Sequence, residues 1–190
     1  MRLLASLAAT ALLAAACGGT AAAPSPTVAP TTAPTATPTP APTPQLKYTF
    51  VADLKTTNEV PAIANAEASC TGKGTFVLNT TKDSAGKITA ATADFDLSVA
   101  ACPANTALTL FHVHKAAAGA NGSPVVTGKG DAANPIALAT GATASNITRA
   151  AITVDPTVAN DIITAPSGYY FNVHSTLNGG GVIRGQLGAG

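Results

Sequence analysis

Between Ala91 and Val99 the chain alternates without a break: Ala91, Ala93, Phe95, Leu97 and Val99 share one side of an extended strand, and Asp94, Asp96 and Ser98 share the other. A period of two with one apolar and one polar side describes a strand with one face in a core and one in water. Short runs of this texture, broken by Gly, Asn, Asp and Pro, continue to the C-terminus. They predict strands over 47–54, 72–80, 87–99, 108–114, 123–127, 134–140, 147–154, 168–175 and 181–187. The fold class expected is all-β, an antiparallel, Greek-key-like β-sandwich. The segment from Pro156 to Ala165 is less β-like and predicts one short helical turn. Gly86, Gly122 and Gly179-Gly180-Gly181 fall at turns, where positive φ is readily reached. With Trp absent, the core must rest on Val, Ile, Leu and Ala together with Phe50, Phe76, Phe95, Phe111 and Phe171. Such a light core makes any cross-link count for more than usual.

The sandwich cannot begin much before residue 47. From Gly18 to Gln45 the chain is almost entirely Pro, Thr, Ala and Ser, with prolines from Pro24 to Pro44 spaced so that neither helix nor sheet can form. Such a segment stays extended and can hold a domain some tens of ångströms from a surface, at about 3.1 Å per residue. Ahead of it, Arg2, the apolar run Leu3 to Ala16 and the small-residue exit read as a secretory signal. Leu13-Ala14-Ala15-Ala16-Cys17-Gly18-Gly19 resembles a lipobox, with its leucine one position early. The organisation expected is therefore a lipoprotein signal peptide over 1–16, a disordered Pro/Thr/Ala-rich linker over 17–46 and a β-domain over 47–190. Lipid attachment at Cys17 would anchor the chain to a membrane of the cell envelope, with the domain outside the cytoplasm; cleavage that leaves a free thiol at Cys17 is the alternative. Nothing after Cys17 offers the roughly 18 continuous apolar residues of a spanning helix.

Three cysteines are an odd count for an exported chain. With Cys17 lipidated, Cys70 and Cys102 remain as a pair, and a disulfide between them is expected; two buried thiols are the alternative. Lys and Arg number ten against nine Asp and Glu, a formal charge of +1 with no basic run, so the chain lacks the electrostatic footprint of a nucleic-acid binder.

The three histidines are the chemically richest feature. His112 and His114 stand at i and i+2 in Leu108-Thr109-Leu110-Phe111-His112-Val113-His114, so one strand face carries both imidazoles and the other carries Phe111 and Val113. His174 closes Tyr169-Tyr170-Phe171-Asn172-Val173-His174 in the same phase. Were those strands neighbours, the three imidazoles would converge within about 4 Å, a donor set suited to copper or zinc with one coordination position open. Hydrogen bonding of the histidines to neighbouring strands and loops, without metal, is the competing account. Arg184 stands nearby in sequence pattern, and a fixed cation there would oppose metal binding.

No catalytic constellation assembles. Ser98, Ser123, Ser145 and Ser175 lack a nucleophile elbow. Asp94 and Asp96 read as solvated carboxylates, and Gly128-Lys129-Gly130 is too short for a phosphate loop. The expectation is a non-enzymatic protein, with activity left open.

Three patches together resemble the CHRD domain, the module repeated in chordin and found singly in many bacterial exported proteins. Leu54 with Asn58-Glu59-Val60-Pro61, followed by Gly72 and Gly74, resembles its opening. Phe111-His112-Val113-His114, then Gly119, Asn121, Gly122 and Pro124-Val125-Val126, resembles its central His-x-His stretch. Tyr170-Phe171-Asn172-Val173-His174-Ser175 and Gly181-Val182-Ile183-Arg184-Gly185-Gln186-Leu187 resemble its closing strands. The motif residues carried over are Glu59, Pro61, Asn172, Arg184, Gly185 and Gln186; Val182 stands where the family usually has Glu, and Ala62 where a second Pro is common. The resemblance implies a β-sandwich in an extracellular setting. A fainter likeness, to copper/zinc superoxide dismutase, rests on His-Val-His and a later histidine. That enzyme's dinuclear site needs six histidines and an aspartate, so here it implies at most a single-metal form. The functional expectation is a tethered, non-enzymatic module that binds or scaffolds an extracellular protein or envelope ligand. The alternative is a copper- or zinc-binding, redox-capable envelope protein that uses His112, His114 and His174.

Overall fold

The computed structural model describes residues 45–128, 132–138 and 144–190, and for 144–146 the backbone alone. The signal peptide, Cys17 and the linker up to residue 44 lie outside the described residues. Ten strands follow: β1 (Gln45–Lys55), β2 (Thr71–Lys82), β3 (Ile88–Ala100), β4 (Ala107–Lys115), β5 (Pro124–Thr127), β6 (Ile136–Ala137), β7 (Ala144–Val154), β8 (Tyr169–Ser175), β9 (Ile183–Gln186) and β10 (Gly188–Ala189). All pairings are antiparallel, and the hydrogen-bonded order is β5-β4-β8-β9-β1-β2-β3-β7, with β6 on β4 and β10 on β1. The nine predicted strands match nine of this set within a few residues at each end, and β10 was not predicted; of the expected 134–140 strand, residues 139 and 140 lie outside the described residues, and the described part is strand only at β6.

This sheet folds over on itself. Phe95 on β3 and Phe171 on β8 stand four strands apart in the order, which in a flat sheet would separate them by about 19 Å. Their ring centroids lie 5.6 Å apart. The path therefore doubles into two facing layers, β5-β4-β8-β9 and β1-β2-β3-β7, joined where Lys55 pairs with Arg184. The connections β3 to β4, β5 to β7 and β7 to β8 pass between layers, the Greek-key-like pattern expected. All five phenylalanines are buried and form one chain of ring contacts from Phe50 through Phe76 and Phe95 to Phe111 and Phe171. Edge-on and tilted rings of this kind contribute beyond their buried area.

Cys70 and Cys102 are disulfide-bonded. They flank the open end of the β2–β3 hairpin, whose last pair there is Thr71 with Ala100.

Four expectations need correction. The helical turn is a full helix, α1 (Pro156–Thr164): Asp155 caps it by accepting from the backbone N–H groups of Thr157 and Val158, Pro156 opens it, and Ala159 and Ile162 bury one face. Asp94 is not simply solvated, because its carboxylate accepts from Asn79 Nδ2 and from the backbone N–H of Ala151, which sits at φ 57° beside a register shift. Gly122, expected at positive φ, is needed for a different reason: a Cβ there would stand 2.0 Å from the Lys115 carbonyl oxygen. Of the triple-glycine run, only Gly181 has positive φ.

Candidate metal centre

β4 and β8 are neighbours, and their register places His112 opposite Asn172 and His114 opposite Tyr170. Since Phe111, Val113, Phe171 and Val173 point into the core, the alternate residues His112, His114, Tyr170, Asn172 and His174 are all driven to the outer face. That face is not left to solvent. His114, Asn172, His174 and, on β9, Arg184 are at most 8% exposed, covered by the 56–69, 116–122 and 175–181 segments.

The histidines converge as the shared phase of the two strands required. Their candidate ligand atoms all lie within 4.8 Å of one another, and His112 Nδ1 is 3.2 Å from His174 Nε2. Tetrahedral ligands at 2.0–2.1 Å would be about 3.4 Å apart, so one pair already fits and the set must tighten by on the order of 1 Å around an ion.

Backbone carbonyls decide the tautomers. A carbonyl can only accept, so His114 donates Nδ1–H to the Gly122 oxygen at 2.8 Å and His174 donates Nδ1–H to the Gly179 oxygen at 3.0 Å. The lone pair of each is thereby placed on Nε2. His174 Nε2 has His112 beside it; His114 Nε2 is buried and has no hydrogen-bond partner. Hydrogen bonding to the scaffold, the competing account, thus explains much of the arrangement and leaves that one atom unexplained. A backbone carbonyl that accepts from Nδ1 and leaves Nε2 free is how metal-ligating imidazoles are usually oriented. Burial lowers the pKa of all three histidines. His112 drops from 6.5 to about 4, with His174 and His114 adding to the effect. For His114 and His174 the carbonyl hydrogen bonds work against burial without overcoming it. All three are neutral at pH 7, the state in which imidazole binds metal.

The turn that delivers the Gly179 carbonyl is braced from below. Glu67 Oε2 accepts from Ser175 Oγ and Asn178 Nδ2, each at 2.5 Å, and Asn65 Nδ2 donates to Asn178 Oδ1 at 2.8 Å. Glu67, Asn65 and Asn178 were not singled out from the sequence. Their pairing joins segments more than 100 residues apart, which no local pattern reveals.

The carried-over motif residues form the adjoining layer. The Arg184 side chain donates to the Asn58 carbonyl and to Asn121 Oδ1, and its guanidinium lies 4.7 Å from the Tyr170 ring centroid. Its Nε stands 3.8 Å from Glu59 Oε2, too long for a hydrogen bond. Burial outweighs this loose pairing and lifts the Glu59 pKa from 4.5 to about 7. Arg184 therefore serves Glu59 and the loops first, although it still adds to the lowering at His114. The Val60–Pro61 peptide is cis. Gln186 donates to backbone carbonyls of Ala116, Ser167 and Tyr169. Gly185 packs so closely that a Cβ would meet the Asp53 carbonyl at 2.2 Å, and a Cβ on Gly181 would meet both Asn172 and Glu59. Val182, in place of the family's Glu, is fully buried. Four buried side-chain atoms lack partners among the described residues, Glu59 Oε1, His114 Nε2, Asn172 Oδ1 and Arg184 Nη2, and all four belong to this layer.

Neither the curated proteins nor the solved structures contain a match to this chain. A family model does match, over residues 50–187, the span from the first buried phenylalanine to the end of the closing strands. The chain belongs to the CHRD domain family.

Proposed function

We propose that this chain is an envelope-tethered, non-enzymatic CHRD protein whose domain binds one copper or zinc ion through His112 Nδ1, His114 Nε2 and His174 Nε2. The observation that carries the reading is the buried, unpartnered Nε2 of His114, aimed by the Gly122 carbonyl beside two neutral imidazoles. An apolar-buried acceptor with no donor costs about 1–3 kcal/mol, and an ion removes that cost. Export is supported by the apolar run ending at Cys17 and by the disulfide, which persists in oxidising compartments. The proline-spaced linker supports display at a distance from a surface.

Metal content of the purified chain, measured by elemental analysis beside a His112→Ala, His114→Ala, His174→Ala triple variant, tests the reading. Near-stoichiometric copper or zinc in the unaltered chain alone is the expected result. No metal in either, after incubation with both ions, would leave the histidines as scaffold and return the search to an extracellular protein or envelope ligand.

A further inference from the structure

Tyr170 holds His114 in two independent ways. The β4–β8 register sets the two residues opposite each other, and their rings stack with centroids 4.8 Å apart and planes 15° from parallel. The Tyr170 hydroxyl also accepts from the backbone N–H of Gly122 at 3.2 Å, and the carbonyl of the same Gly122 accepts from His114 Nδ1 at 2.8 Å. One side chain thus sets the plane of the imidazole and steadies the residue that orients it within that plane. Tyr170 is itself held fast, being 2% exposed and with the Arg184 guanidinium 4.7 Å from its ring centroid. Packing accounts for the ring but not for the hydroxyl, since a phenylalanine would fill the same space. His174 is braced separately, by the Gly179 carbonyl and the Glu67 network beneath it.

We propose that Tyr170 is a positioning residue for the ion site: its ring sets the tilt of His114, and its hydroxyl, acting through Gly122, keeps the proton of His114 on Nδ1 so that Nε2 stays free for the ion. The proposal rests on the metal reading above. The hydrogen bond made by one ring nitrogen decides which nitrogen is left to bind metal, and outer partners of this kind govern affinity without touching the ion. Without the hydroxyl the Gly122 N–H loses its acceptor, the turn is released, and the carbonyl that holds His114 Nδ1 moves with it.

The test compares the purified chain with Tyr170→Phe, which keeps the ring and its packing, and with Tyr170→Leu, which removes both. Imidazole nitrogen-15 shifts of the metal-free proteins at neutral pH report which ring nitrogen carries the proton, and calorimetric titration with zinc and with copper reads affinity. The unaltered chain is expected to show His114 protonated on Nδ1 alone. In Tyr170→Phe that proton is expected to be shared between Nδ1 and Nε2 while His174 keeps its own on Nδ1, and affinity for the ion taken up is expected to fall about tenfold; Tyr170→Leu is expected to fall further. The unmoved His174 separates this effect from general loosening of the fold. Either an unchanged His114 proton position or an unchanged affinity in Tyr170→Phe overturns the proposal and leaves the metal reading standing. An unaltered chain that takes up neither ion overturns both.

Discussion

Removing the disulfide should destabilise this domain by an amount that follows from its position in the chain. Cys70 and Cys102 are 32 residues apart, and closing a loop of that size in the unfolded chain lowers its conformational entropy by about 12 cal/mol/K, or about 3.7 kcal/mol at 25 °C. In the folded state the cysteines adjoin the Thr71–Ala100 pair, so β2 and β3 already hold their ends together. Reduction therefore breaks little that the fold itself depends on, and the effect should arise in the unfolded ensemble. The Cys70→Ala, Cys102→Ala variant is expected to lose about 2–4 kcal/mol in urea unfolding, with a somewhat larger m-value because its unfolded chain is more open. For a domain of this size that corresponds to a fall in Tm of about 10 °C. A loss below about 1 kcal/mol with an unchanged m-value would refute the reasoning, because it would mean that the unlinked chain is already as restricted as the linked one.

In the metal-free protein the titrating groups should pull stability in opposite directions. His112, held near 4 in the fold against 6.5 outside it, contributes stability that is intact above about 6.5 and lost as pH falls toward 4. Glu59, raised from 4.5 to about 7, contributes stability that is full below 4.5 and lost as pH rises through 7. Glu59→Gln should therefore remove the second trend and steepen the gain in urea midpoint from pH 4.5 to 7; a pH profile identical to the unaltered chain would count against the buried carboxyl. Glu67→Ala strands the Ser175 hydroxyl and the Asn178 amide, and is expected to cost about 2–3 kcal/mol and to weaken metal binding about tenfold or more. Calorimetric titration with zinc reads the second effect, which unchanged affinity would disprove. Phe95→Ala empties the point where four phenylalanine rings meet and should lower stability by about 3–5 kcal/mol in chemical denaturation.

What the sequence disclosed and what it hid divide along chain distance. Strand positions and faces are written in local alternation, so β3 and the opposed faces of His112 and Phe111 could be read directly. The convergence of His174 with the other two needed only that β4 and β8 be neighbours. The helix α1 was underestimated although its signal was local: Asp155-Pro156 is a capping residue followed by a helix-opening proline. By contrast, the roof over the histidines was invisible. Glu67 reaches Ser175 across 108 residues, and Asn58 and Arg184 meet across 126. Such contacts exist only once the sheet has doubled over. Gly122 shows a subtler gap, since the glycine was recognised while its reason, a carbonyl pressed against the place of a Cβ, depends on the backbone of Lys115.

The first strand sets the bearing of the whole domain. β1 receives the linker at Gln45 and ends at Lys55, which pairs with Arg184 beside the histidine layer. Ten steps of about 3.3 Å separate the two ends by about 33 Å of hydrogen-bonded strand. A fluorophore joined directly at Gln45 is therefore attached at the end of β1 that points away from the histidine layer, a full strand length from the Lys55–Arg184 pair, and reports on that far end of the domain.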